Sequence, residues 1–588
     1  MSAPPFWAGS NRSGSRSIGE GTRPVTRPDR IDATLLIAFT ALLTVPLLSI
    51  GRSLDNNALT NWNWIFPGAA LRHIFLFISL GILASYFLSR TALLELSPAM
   101  VLPLLAFLAV LPLWGGPEVI IDASRYFLQA KHLELYGPSS FLREWGRSIG
   151  AWTDLPVVPF LYGLILRYVD ASRLFMQAFT TLLFSLTVLL TYHIGKMLWD
   201  KETGVVAGLL LLGIPYLLTQ VPLMLVDVPV MFFLSLAVFT YLTAVEQGGL
   251  LRLCTAACSL FLCLFSKYSA GIMLFPLLLI VTLQARSSRR EAFSRSAAIV
   301  AGAGVLGLSL FLLQGDVIRG QVGLLLTYQW EGLKRWQEGL VSTLFFQTHP
   351  FLTVAAAAGL VAAIRRRDAR FLVPAWAAIF VILLRHERIR YLLPLTPLFT
   401  LMASRGLQEV GDCQVRRFIA WCAVTTSLVI ALVAYAPFLE RMSLVNLRDA
   451  GSYLDTLDSG TVEVYALPQP RSAGNTEMAV PLLDLFTKKG IRYRTLAAAR
   501  LDQSSIAQSS LRFTWEVRLP EFYDGGERDA CSPIAVLSGE PLASPPPGID
   551  FNQGRLSLLK RFESSTGLFK YKIFVTLFKT TCLAKTAQ

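Results

Sequence analysis

Within "GGPEVIIDASRYFLQAKHLELYG" (115–137), Asp122 and Arg125 lie one helical turn apart, directly after an apolar run. A carboxylate there accepts a proton, and a neighbouring guanidinium holds an anion. Together they offer a general base beside a cation that can hold an anion. The same Asp122 also fits the N-cap of the helix predicted over "ASRYFLQAKHLEL", so capping and catalysis are both open to it.

Other ionisable residues stand where apolar ones are expected. Asp227, in "LMLVDVPVMFFLSL", is flanked on both sides by membrane-like sequence. An unpaired Asp at mid-helix costs about 2.5–3.5 kcal/mol, so it either caps a helix with Pro229 in its first turn or does chemistry. Lys267, in "LCLFSKYSAGIML", has no acidic neighbour and either snorkels to the interface or meets a phosphate. "RHERIRYLLPLTPLF" (385–399) adds Arg385, Arg388, Arg390 and Tyr391. Glu387 offsets one of those cations, and the remainder point to an anionic ligand. The 314–349 stretch, with Tyr328, Trp330, Lys334, Arg335 and Trp336, reads as an amphipathic interfacial helix that also covers substrate.

These residues must be held by membrane helices. Of 588 residues 53% are hydrophobic and 16% charged, against about 25% charged in soluble domains. The hydropathy pattern predicts about thirteen spans, near 33–50, 71–89, 97–114, 173–198, 204–222, 228–245, 251–265, 269–284, 296–313, 350–364, 371–385, 391–404 and 418–437. Residues 1–32, rich in Arg, Gly, Ser and Pro, form a disordered arm. The run at 33–50 is too long for a cleaved leader and lacks its small-residue site.

With the arm cytoplasmic, the densest basic loops, "ARSSRREAFSR" and "RRRDAR", fall inside. The net charge of +14 is thus explained by membrane orientation, with no nucleic acid as partner. The same count places Asp122, Asp227, the 314–349 stretch and "RHERIR" on the outer face, where one site could be built from them.

Beyond residue 437 the composition changes. "TVEVYAL" (461–467), "IRYRTL" (491–496) and "SPIAVLSG" (532–539) read as strands, and "PLLDLFTKKG" (481–490) as an amphipathic helix. "GLFKYKIFVTLFK" (567–579) reads as a strand pair. The expected organisation is a cytoplasmic arm (1–32), a transmembrane domain (33–437) with a catalytic outer loop near 115–172, and an extracytoplasmic α/β domain (438–588).

Cys254, Cys258 and Cys263 lie in an apolar run and read as small core residues. No Cys or His spacing suits a metal. No Gly-rich phosphate loop is present. The expectation is therefore no cofactor and no metal ligand set, with a divalent ion left open.

At this point the motifs resemble a known family. "DASRY", the helix pair 193–239 with its Asp227, "FSKYSAGIMLFPLLL" and "RIRYLLPLTPLF" come in the order found in integral-membrane C-superfamily (GT-C) glycosyltransferases. The similarity is to the aminoarabinose transferases and the bacterial relatives of protein O-mannosyltransferases, and it spans residues 115–405. Two departures stand out. Asp122 is followed by Ala123 where many relatives have Glu, and "TDLPVVPFLYG" (153–163) lacks the lysine of their "KPPL".

The resemblance implies a GT-C fold with an outward α/β domain, in a multi-pass protein of the bacterial inner membrane. It implies an inverting glycosyltransferase that moves a hexosyl or pentosyl group from a polyprenyl-phosphate donor to a lipid, glycan or protein hydroxyl. Asp122 would be the base and Asp227 would position substrate or Arg125. Arg125, Tyr126, Lys267, Arg388, Arg390 and Tyr391 would hold the lipid phosphate or the donor. The alternatives are a lipid-linked-sugar flippase, which predicts internal repeats that are not seen, and a polysaccharide polymerase or ligase.

Overall fold

The computed structural model describes residues 27–53, 69–285, 288–329, 348–384, 389–467, 474–494, 506, 509, 511–524, 532–546, 556–565 and 571–580. Helices dominate as far as residue 454. In chain order they are α1 (Arg27–Leu42), α2 (Thr44–Ser53), α3 (Leu71–Leu88), α4 (Leu93–Leu96), α5 (Pro98–Val110), α6 (Ala123–Tyr136), α7 (Pro138–Glu144) and α8 (Val157–Tyr168). Next come α9 (Arg173–Leu198), α10 (Lys201–Leu211), α11 (Pro215–Gln220), α12 (Asp227–Gln247), α13 (Leu250–Leu264), α14 (Tyr268–Gln284) and α15 (Arg289–Leu324). The last group is α16 (Pro350–Arg366), α17 (Leu372–Leu384), α18 (Ile389–Leu392), α19 (Thr396–Leu407), α20 (Cys413–Ile430), α21 (Ala436–Leu439) and α22 (Val445–Leu454).

Among the described residues six helices are long and apolar enough to cross a membrane: Ile31–Ile50, Leu71–Leu88, Arg173–Leu198, Asp227–Gln247, Arg289–Tyr328 and Cys413–Leu439. Other expected spans are shorter helices or broken ones. Pro215 opens α11 after a break at Gly213, and Pro394 and Pro397 divide the 389–407 stretch into short turns. Along α3, Leu76, Leu80, Leu83 and Phe87 face outward, an apolar belt that belongs in lipid rather than water.

Ion pairs and hydrogen bonds sort the helix ends into two groups. At one end Arg416 pairs with Glu202, Arg366 with Glu409, and Trp199 donates to Asp368, which also holds Arg370. At the other end Arg173, at the head of α9, pairs with Glu118, and Asp227, at the head of α12, pairs with Lys267 at the head of α14.

Two expectations are corrected here. The helix beginning at Arg289 does not stop near 313 but runs to Leu324, with a kink where Gln314 leaves helical backbone angles. The side chain of Gln314 is drawn aside to donate to the carbonyls of Leu142 and Arg143. Trp330, Lys334, Arg335 and Trp336 lie outside the described residues. Of the three cysteines on α13 only Cys263 is buried, while Cys254 and Cys258 are exposed on the helix's outward apolar face.

The C-terminal part builds a five-stranded mixed sheet from β1 (Thr461–Ala466), β2 (Gly490–Arg494), β3 (Ile534–Ser538), β4 (Leu556–Phe562) and β5 (Phe574–Thr580), in the order β2-β1-β3-β5-β4. β1 pairs in parallel with β2 and β3, and β5 runs antiparallel to β3 and β4. The partners of β5 are therefore β3 and β4, not a second strand within 567–579. The helix expected over 481–490 is shorter, α23 (Val480–Leu485), because Gly490 already opens β2. α23 packs against α6, and a further turn of helix, α24 (Phe513–Glu516), sets Phe513 over Arg125 of α6.

Candidate active site

Asp122 occupies the N-cap position of α6, yet its side chain caps nothing. The first free N–H groups of the helix are already taken: Ala123, Ser124 and Arg125 donate to the carbonyls of Ile120, Ile121 and Asp122. With no orphan donors left at this end, the carboxylate turns to cations instead. It accepts from Arg125 Nη2 at 3.2 Å and from Arg390 Nη1.

Asp227 is the first residue of α12, where the helix dipole favours a carboxylate. It is almost fully buried and pairs with Lys267 Nζ and Arg390 Nε, each at 2.7 Å. Lys267 stands at the start of α14, the end of a helix that disfavours a cation, and Asp227 offsets that cost. Its ammonium also lies 5.1 Å from the Tyr391 ring. Arg390 is thus the bridge. One buried guanidinium binds both aspartates, from segments 268 and 163 residues away.

Six of the expected site residues, Asp122, Arg125, Asp227, Lys267, Arg390 and Tyr391, therefore meet in one centre. Tyr126 is buried beside it, with its ring 5.6 Å from the Arg125 guanidinium. Arg388 lies outside the described residues. Asp227 pairs with Lys267 and Arg390.

Two further carboxylates support the centre, Asp154 and Glu118 of the 115–137 stretch. Asp154, in the loop before α8, pairs with Arg125 Nη2 at 3.3 Å and accepts from Gln129 Nε2 at 3.2 Å. Burial pushes its pKa up to about 6, opposed by Arg125 and aided by Asp122. Glu118 is buried, accepts from Arg173 Nε at 3.1 Å, and receives the Met224 N–H on both oxygens. It ties the segment leading to Asp122 to the turn leading to Asp227, with Arg173 at the head of α9 as its counter-ion. Burial raises the Glu118 pKa, and Arg173 works against that rise. The sequence signal for Asp154 is its place in "TDLPVVPF", a carboxylate just ahead of the apolar run that forms α8.

The centre brings together three carboxylates, of Asp122, Asp154 and Asp227, and three cations, Arg125, Lys267 and Arg390. Such a balanced cluster tolerates burial, and its cations are poised to exchange a carboxylate for an incoming anion. Among the described residues no three His, Cys, Asp or Glu side chains form a metal-binding group.

An all-helical membrane bundle, a mixed C-terminal sheet, and an acid–cation centre at the shared helix ends define a class. The fold resembles that of GT-C membrane glycosyltransferases. Residues 154–313 match the profile of the dolichyl-phosphate-mannose-protein mannosyltransferase family. The fold is similar to that of ArnT from Cupriavidus metallidurans bound to undecaprenyl phosphate, with a TM-score of 0.52 and 13% identity over 87% of this chain and 98% of that one. The apo state of ArnT gives 0.50 and 12% over 86% and 98%. The archaeal oligosaccharyltransferase AglB from Archaeoglobus fulgidus gives 0.48 and 11% over 76% and 70%. No curated protein sequence matches the chain.

Proposed function

We propose that this protein transfers a sugar from a polyprenyl-phosphate donor to an acceptor hydroxyl, with inversion at the anomeric carbon. The observation that carries the reading is the Arg390 bridge, which joins two aspartates and two further cations in one buried centre. The undecaprenyl phosphate bound to ArnT, a protein of similar fold, supports a polyprenyl-phosphate donor. The site would open on the outer face of a bacterial inner membrane, with the N-terminus cytoplasmic and the C-terminal sheet outside.

The residues divide the work by charge. Lys267 and Arg390 draw the phosphodiester in, and as they turn to it they loosen their hold on Asp227 and Asp122. Asp122 then regains basicity and takes the acceptor proton. The acceptor oxygen forms its bond to the anomeric carbon as the bond from that carbon to the phosphate oxygen breaks. The electron pair leaves with the lipid phosphate, whose charge Arg390, Lys267 and Arg125 neutralise. Tyr391 lies beside Lys267 and donates to the departing phosphate. Until the donor arrives Asp227 keeps Lys267 and Arg390 in place, and Arg388 adds a further cation.

Because these cations supply the counter-charge, the reaction calls for no cofactor in this reading. The acceptor is a lipid, glycan or protein hydroxyl, and the group moved is a hexose or pentose.

The test is release of bare polyprenyl phosphate from donor by the purified full-length protein, followed by mass spectrometry with acceptor fractions supplied in turn. Asp122→Asn should slow release by about 10²–10⁴-fold while leaving expression and monodispersity intact. Turnover retained by that variant refutes the base. Loss of activity on chelation would place a divalent ion in the reaction.

A further inference from the structure

Arg125 is almost fully buried, and it meets Asp122 and Asp154 through one nitrogen, Nη2. Its Nε and Nη1 have no hydrogen-bond partner among the described residues. Idle guanidinium donors in a buried place are costly, and a native structure keeps them where a ligand completes them. The guanidinium face is covered by Phe513, 4.3 Å from the ring centroid, on α24 of the C-terminal part.

Phe513 belongs to an aromatic group assembled from three distant segments. Trp152 packs 6.5 Å from Phe513 and 6.1 Å from Tyr328 by ring centroids. Trp152 has φ +47°, a left-handed conformation that is strained for a bulky side chain. The end of α15 and the turn after it hold this arrangement, since Gln321 Nε2 donates to the Asp154 carbonyl at 2.9 Å and Tyr328 donates to the Ser509 carbonyl. Arg512 lies 5.2 Å from the Tyr328 ring and 6.0 Å from that of Trp152. Trp152 is thus held in a strained conformation between Arg512 and Phe513, the ring that covers Arg125.

We propose that Trp152, Tyr328 and Phe513 form an aromatic seat for the transferred sugar, and that Arg125 Nε and Nη1 select a pyranose presenting oxygen acceptors there. Those acceptors are a hydroxyl or a carboxylate. An amino sugar is disfavoured, because an ammonium brings donors and positive charge to a place already supplied with both. The seat uses the C-terminal part as a working portion of the active site. It rests on the donor reading above, and it sets which donor is accepted.

The test compares binding of short-chain bare polyprenyl phosphate with its neutral hexosyl, uronosyl and aminopentosyl forms, by calorimetry on full-length protein in lipid nanodiscs. The hexosyl or uronosyl form should bind about tenfold tighter than the bare lipid phosphate, and the aminopentosyl form should show no such gain. Phe513→Ala and Trp152→Ala should bring that ratio close to one, and Phe513→Tyr and Trp152→Phe should restore it. Where alanine disturbs folding, Phe513→Leu keeps the bulk and removes the ring face, and should lose the ratio as well.

A preference for the amino sugar, or a full sugar preference in Phe513→Leu, overturns the seat. If bare and glycosylated lipids alike fail to bind, the donor reading itself falls and the seat with it.

Discussion

At Arg390 one guanidinium serves two carboxylates, and Arg125 does the same for Asp122 and Asp154. The planar fork of arginine makes this possible, whereas a lysine ammonium offers no such paired geometry. Asp154 is the member whose charge is most sensitive to pH. Its pKa of about 6 in the fold stands above its ordinary value of 3.8, because burial disfavours the ionised form. The stability tied to that raised value is fully present below 3.8 and is lost as pH rises through about 6. The hold on Arg125 has the opposite dependence, since only the ionised carboxylate forms the pair. Binding of a glycosyl phosphodiester, which does not itself titrate in this range, should therefore weaken as pH rises through about 6, because ionised Asp154 occupies Arg125 and adds a negative charge beside the phosphate. Asp154→Asn should flatten the profile. An unchanged pH step in that variant would remove Asp154 from the site.

The helices that present these residues depend on close approach at small side chains, as membrane helices often do. Gly406 on α19 meets Gly359 on α16, and a Cβ at Gly406 would sit 1.8 Å from the Ala355 carbonyl oxygen. α19 continues directly from the turns that carry Arg390. Gly406→Ala should cost about 1–3 kcal/mol and lower the thermal midpoint, with reduced donor affinity as α19 is pushed away. Gly411→Ala, where a Cβ meets nothing within 4 Å, is the control and should leave both values near wild type. Equal midpoints for the two variants would refute the packing argument. At this scale the apolar runs were readable. The limits of α9, α12, α13 and α14 fall within a residue or two of the expected spans, because apolar length and flanking charge mark such helices. The extent of α15 was not, because Gln314 breaks its apolar run only by reaching another segment.

Across the whole molecule, the C-terminal sheet is attached to the helix that carries the centre. Lys131 of α6 pairs with the buried Asp484 of α23, which also accepts from the Tyr523 hydroxyl at 2.6 Å. Arg173 lies 5.0 Å from the Phe486 ring, and Ser124 contacts Met478 Sδ at 3.9 Å. Removing one partner of a buried pair costs about 3–5 kcal/mol. Asp484→Ala should therefore lower the thermal midpoint and hasten proteolysis beyond residue 440, and it should weaken glycosylated donors more than bare polyprenyl phosphate. An unaltered protease pattern would mean that this attachment does not hold the sheet in place.

The sequence by itself determined the membrane class, most helix positions, and the candidates Asp122, Asp227, Lys267 and Arg390. Each of these follows from local rules: apolar length, charge asymmetry, and the cost of an ionisable group in an apolar run. Only the tertiary structure decided their partners. Whether Asp122 caps a helix or faces two arginines depends on carbonyls and cations brought from elsewhere in the chain, as does the role of Asp154. Pairing over 163 or 268 residues is set by how helices pack, and no local pattern encodes it.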